Sequence, residues 1–175
     1  MLSQKKYHSV ICGLSLLMAG LSHSEAYAVN SARISRLSDV TVPLWITGNG
    51  NIQQDVFVCV YVGGTPATRN YHVTATGNGP GFLIKNGARS VAYSVQWNDG
   101  GAANPGGGTS KTLTSGSSIA ASNARFPADT PFNSSNCNGG ASPTARIRLT
   151  ITSAALDAVP DGTYTGTLNI LISPN

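Results

Sequence analysis

Thr144-Ala-Arg-Ile-Arg-Leu-Thr-Ile-Thr152 alternates apolar and polar residues over its central positions. Side chains of a strand point to opposite faces in turn, so Ile147, Leu149 and Ile151 share one face. Arg146 and Arg148 share the other, which reads as a solvated face that resists edge-to-edge aggregation. Ser90-Val-Ala-Tyr-Ser-Val-Gln-Trp97 repeats the pattern, with Val91, Tyr93, Val95 and Trp97 on one side. A period of two over such lengths belongs to strands half-buried against a core.

Working outward, the same signal recurs. Asp55-Val-Phe-Val-Cys-Val-Tyr-Val62 is nearly all apolar, which predicts a central strand covered on both faces. Asn70–Thr76 and Tyr164–Ile172 read as further strands, and Phe82–Lys85 with Asn86-Gly87 reads as one arm and the turn of a hairpin. Val40-Thr-Val-Pro-Leu-Trp-Ile46 alternates too, but Pro43 lacks an N–H and demotes it to an edge or bulged strand. Lys111–Thr114 and Ser118–Ala121 suit short edge strands, and Ala154–Asp157 one helical turn. Asn98–Gly108 (NDGGAANPGGG) reads as a flexible loop, and 123–143 as irregular chain tied down by Cys137. Seven to nine short strands with Gly-rich turns predict an all-β protein, an immunoglobulin-like β-sandwich.

The first 28 residues have a different character. Lys5 and Lys6 precede an apolar stretch from Val10 to Leu21, and Ala26-Tyr27-Ala28 is an A-x-A cleavage pattern. This is a secretory signal peptide over residues 1–28, with the mature chain starting at Val29. The apolar run is short for an uncleaved membrane anchor, which needs roughly 20 apolar residues. Export leads to the periplasm, the cell surface or the medium, an oxidising setting in which Cys59 and Cys137 are expected to pair. Cys12 leaves with the leader.

Composition narrows the chemistry. Charged residues make up only 10% of the chain and its net charge is +4, too mild and too scattered for a nucleic-acid footprint. Beyond the leader there is one histidine, His72, and no glutamate. A general base needs a positioned neighbour, so His72 reads as an ordinary strand residue. No serine sits in a G-x-S-x-G elbow, and the glycines of 100–108 lack the Lys-Ser/Thr ending of a phosphate loop. Two cysteines and a distant histidine make no metal ligand set. The expectation is a non-enzyme with no cofactor and no metal. Asn133-Ser-Ser135 matches a glycosylation triplet by chance alone. Trp45, Trp97 and the tyrosines could form a sugar platform, but Trp97 and Tyr93 alternate with the apolar set and are expected in the core.

Pro160-Asp-Gly-Thr-Tyr-Thr-Gly-Thr-Leu-Asn-Ile-Leu-Ile172 resembles the closing strand of the spore coat protein U domain, the pilin-like subunit of archaic chaperone–usher pili. The leader, the size, the Cys59 strand and Val91–Trp97 followed by Asn98-Asp-Gly100 are similar to that family as well. The resemblance implies a sandwich missing its final strand. A periplasmic chaperone, and then the N-terminal extension of a neighbouring subunit, would fill the gap by β-augmentation after delivery to an usher. It implies that Tyr164, Leu168, Ile170 and Ile172 line the groove and pair with the chaperone. Residues 29–39 would be an N-terminal extension whose candidate donor positions are Ile34 and Leu37, ahead of a single sandwich domain over 40–175. The spacing breaks between Ile34 and Leu37, and Arg33 and Arg36 interrupt it. The donor is therefore weak or shifted, or the subunit sits where no donation is needed, at a tip, or works unpolymerised. The expected function is an exported structural subunit of a surface pilus or coat. The alternative is a secreted carbohydrate- or surface-binding module such as a tip adhesin, with surface glycans as partners.

Overall fold

The computed structural model describes residues 31–63, 69–125, 137 and 142–175. Residues 1–28, read above as a leader, and Asn133 lie outside them. The chain runs β1 (Ser31–Ser35), β2 (Ile52–Gly63), β3 (Tyr71–Thr76), β4 (Leu83–Asn86), β5 (Arg89–Ala92), β6 (Ser94–Asn98), β7 (Lys111–Thr112), β8 (Ser118–Ala121), β9 (Ala145–Ile151), a five-residue helix α1 (Ser153–Asp157) and β10 (Asn169–Pro174). Every ladder between these strands is antiparallel. The protein is all-β, as its alternation predicts.

Two sheets make the sandwich. One has the order β1-β2-β9-β6-β7, the other β10-β3-β8, and β4 with β5 forms a separate hairpin. The inner faces meet in a core of Val56, Val58, Val60, Val62, Val95, Trp97 and Ile147 against Tyr71, Val73, Ala75, Ala121 and Ile172. Even-numbered residues of β2 supply this core. Its odd residues Cys59 and Tyr61 point outward and are buried with Cys137 in a second layer. That is why the β2 sequence shows no clean alternation from Val58 to Val62: both faces are covered there.

Cys59 and Cys137 form a disulfide, with Cα atoms 5.5 Å apart and 78 residues of sequence separation. In the chain-entropy view a loop of that size restricts the unfolded chain by about 4–5 kcal/mol.

Four readings of the sequence change. The last strand, read as Tyr164–Ile172, is Asn169–Pro174; before it Thr165 bridges to Lys85, so 164–168 crosses to the β4 hairpin rather than running along β3. The stretch 90–97 is two strands: it breaks at Tyr93, whose N–H bonds the Phe82 carbonyl at 3.0 Å. Val91 packs into a smaller cluster with Ile52 and Ile151, whereas Val95 and Trp97 enter the main core. The period of two continues through the change of partner, which hides the break. Among the described residues Val40–Ile46 joins no ladder; Pro43 offers no N–H to one. The 98–108 loop is pinned, not loose. Lys111 Nζ donates to Asp99 Oδ2 at 2.7 Å, the Ser122 backbone N–H donates to the same oxygen at 2.6 Å, and Asn123 Nδ2 to the Asp99 carbonyl at 2.7 Å. A Cβ on Gly100 would collide with the Asn104 carbonyl, so glycine permits the tight return.

Candidate functional site

The terminal strands end up at the margins of the two sheets. β1 is one of the two outer strands of the five-stranded sheet, with β7 at the far side, and β10 is one of the two of the other, with β8 at its far side. β10 spends one edge on β3, from Asn169 opposite Thr76 to Pro174 opposite Tyr71. Upstream, Thr165 exchanges two backbone bonds with Lys85 of β4, at 2.7 and 2.9 Å. Among the described residues the other edge of β10 pairs with no strand. β1 likewise gives one edge to β2 and leaves the other outside the ladder. Cα atoms of β1 and β10 approach within 8 Å, so the two margins form a seam along one side of the sandwich.

Half-buried apolar side chains belong to these terminal segments and to the chain after β1. Ala32 and Ile34 of β1, Val40 of the following segment, and Leu168 and Ile170 all pack on the main core without being enclosed by it. Trp45 and Tyr164 do the same on the smaller cluster. The segments 40–45 and 164–170 thus each run from one cluster to the other. The Tyr164 hydroxyl donates to the Pro160 carbonyl at 2.9 Å, which fixes the turn before the last strand.

The residues read from the sequence fall as follows. Tyr164, Leu168, Ile170 and Ile172 share the inward side of the last segment; Ile172 is buried and the other three are half-buried. Leu171, between them, is 64% exposed. Ile34 is not on a free extension: it lies in β1 opposite Val60. Leu37 follows the point at which β1 leaves β2, where Arg36 takes a left-handed φ of 64°. It lines an open pocket of about 400 Å³ with Arg36, Ser38, Asp55, Val56 and Phe57. His72 sits mid-strand in β3, opposite Ala120 and Ser173. Among the described residues no three His, Cys, Asp or Glu side chains come together as a metal site would require, and no helix is long and apolar enough to cross a membrane.

Sequence reasoning passed over one charged group. Arg148 holds Asp55 with two bonds, Nε to Oδ1 at 2.7 Å and Nη2 to Oδ2 at 2.8 Å. Arg146 reaches Asp55 at 3.4 Å and Asn98 Oδ1 at 2.9 Å. The Arg148 bond, opposed by partial burial and helped by the nearby Arg146 charge, keeps the Asp55 carboxyl below the ordinary carboxylate range. Arg146 and Arg148 sharing a face was the legible signal; that Asp55 faces them depends on the register of β2 with β9.

No family model and no curated protein matches the chain. Solved structures do. A chain of the chaperone–tip adhesin complex of CFA/I fimbriae biogenesis matches with a TM-score of 0.56 and 16% identity, over 82% of this chain and 41% of that one. CfaE, the adhesive subunit of the CFA/I fimbria of enterotoxigenic Escherichia coli, matches with a TM-score of 0.50 and 17% identity, over 78% and 39%. At such identities the likeness is one of fold. The chain spans about two-fifths of the length of these solved chains.

Proposed function

We propose that this chain is an exported structural subunit of a surface pilus or coat, assembled by donor-strand complementation with a periplasmic chaperone, an usher and a neighbouring subunit. The observation that carries the reading is the seam: an edge of β10 that pairs with no strand among the described residues, with half-buried Ala32, Ile34, Val40, Leu168 and Ile170 packed on the main core. A visiting strand would satisfy the β10 backbone and cover that strip at once, which is how β-augmentation combines affinity with register. Tyr164, Leu168 and Ile170 would meet its side chains, with Ile172 anchoring the strand to the core. Its fold likeness to chains of fimbrial adhesin systems supports the reading, as do the disulfide and the leader.

The seam is narrow where β1 and β10 approach. A strand lying between two others holds them about 10 Å apart, twice the usual strand spacing. β1 and β10 are nearer than that. Loading therefore means parting β1 from β10. The glycan-platform reading draws less support, because Trp97 and Tyr71 are spent in the core.

The test is expression of the mature chain in a periplasm with and without its chaperone, followed by size-exclusion chromatography and melting. Aggregation or degradation alone, with survival as a one-to-one complex, is expected. A stable, sharply melting monomer that ignores the chaperone would overturn the reading.

A further inference from the structure

We infer that this subunit accepts a strand but donates none, so that it ends its fibre on one side and has a single subunit neighbour. The inference rests on the strand-acceptor reading above and concerns what the N-terminal stretch is used for.

A donor must leave its own domain intact while it reaches into another. Here the N-terminal apolar pair is already in use. Ser31–Ser35 runs in unbroken register with Gly63–Cys59 of β2. Ala32 and Ile34 pack on the main core, and Ser35 is 2% exposed. Cleavage after Ala28, as the A-x-A pattern directs, leaves Val29 and Asn30 ahead of β1. Two extended residues reach about 7 Å at most. The strand they would have to match, β10, is six residues long.

Using β1 itself as the donor is no remedy. Its withdrawal would strip β2 of a partner along Cys59–Gly63 and expose Val60 and Val62, both part of the core, together with the buried disulfide. The chain beyond β1 is committed as well. It turns away at Arg36, and Val40 and Trp45 dock on the two clusters of their own domain. Acceptor and donor functions are thus separated: the acceptor seam is present, and the segment that would donate forms one wall of it.

The experiment uses the full precursor expressed in a periplasm and purified as its chaperone complex. Intact mass is expected to place the mature N-terminus at Val29. The complex is then incubated alone, and assembly is read as ladders on gels run without boiling. Wild type is expected to give no ladder. A variant carrying a linker and an alternating valine–threonine strand as long as β10 ahead of Ser31 is expected to give one. A wild-type ladder, or a mature N-terminus retaining a strand-length extension, overturns the donor-free inference and leaves the seam reading standing. If the extended variant fails to ladder, and the same strand appended after Asn175 fails to raise the melting temperature, the acceptor seam itself is refuted and the inference goes with it.

Discussion

Trp97 of β6 donates its indole N–H to the hydroxyl of Tyr71 on β3, 3.2 Å away, and so ties one sheet to the other through the centre of the core. The rings meet edge-on, with centroids 6.2 Å apart at 76°. Both residues are fully buried. Burial raises the Tyr71 phenol well above its ordinary range, outweighing the Trp97 bond that lowers it, so the hydroxyl stays protonated through neutral pH. Removing the hydroxyl leaves the indole donor unsatisfied in an apolar setting. Tyr71→Phe is expected to cost about 1–3 kcal/mol in denaturant unfolding. Tyr71→Phe with Trp97→Phe should cost less than the two single changes summed, because the second removes the orphaned donor. Strict additivity would show that the bond carries no weight.

The Cys59–Cys137 bridge closes a long loop and lies in a buried layer with Tyr61. Replacing both cysteines with alanine is expected to lower unfolding stability by roughly 2–5 kcal/mol. Reductant should lower the wild-type midpoint and leave that of the variant in place. A wild-type midpoint indifferent to reductant would contradict this account.

Much of this fold is legible in the sequence because alternation survives wherever one face of a strand is buried. Ile147 and Ile151 of β9 sit where their pattern puts them, and the hairpin between β4 and β5 turns at Gly87-Ala88, one residue past the Asn86-Gly87 read from the sequence. Gly87 has a φ of 58°, which the turn needs and glycine supplies. The break at Tyr93 is illegible, because the pattern stays in phase while the hydrogen-bonding partner changes from β4 to β9. Asp99 is illegible for another reason. An aspartate before two glycines reads as solvent-facing turn, yet this one is buried by Lys111 and Ser122, which arrive from later in the chain. The seam divides in the same way. The inward side of Tyr164–Ile172 follows from its alternation, but Ser31–Ser35 carries too weak a pattern to show that it forms a wall of the seam rather than a free arm.

Asp55 makes a pH prediction. Its carboxyl is held below the ordinary value of 3.8, first by the Arg148 bond. A lowered folded-state value means stability that is complete above the unfolded value and lost as pH falls through the folded one. The pair is solvent-accessible, so its worth is about 1 kcal/mol or less. Asp55→Asn is therefore expected to lower stability by that amount near neutrality. The gap should close as the solution is acidified below the ordinary carboxylate range, and shrink in high salt. A gap that is constant with pH would place the effect elsewhere.

Leu168 and Leu171 differ by three residues and belong to opposite sides of the last segment. Leu168 is half-buried against the main core at the seam, whereas Leu171 is 64% exposed. If a visiting strand covers the seam, it must cover Leu168 and need not touch the outer surface of Leu171. Burying a leucine side chain is worth about 1.5–3 kcal/mol, which corresponds to about tenfold or more in affinity. Leu168→Ser should therefore weaken capture of an alternating valine–threonine strand peptide by at least about that factor, while Leu171→Ser leaves it nearly unchanged. Circular dichroism of each variant as its chaperone complex checks that the sandwich persists, and peptide titration reads the effect. Equal losses from both substitutions would mean that the peptide does not lie along the inward side of the last strand, and that the seam is not where this protein takes its partner.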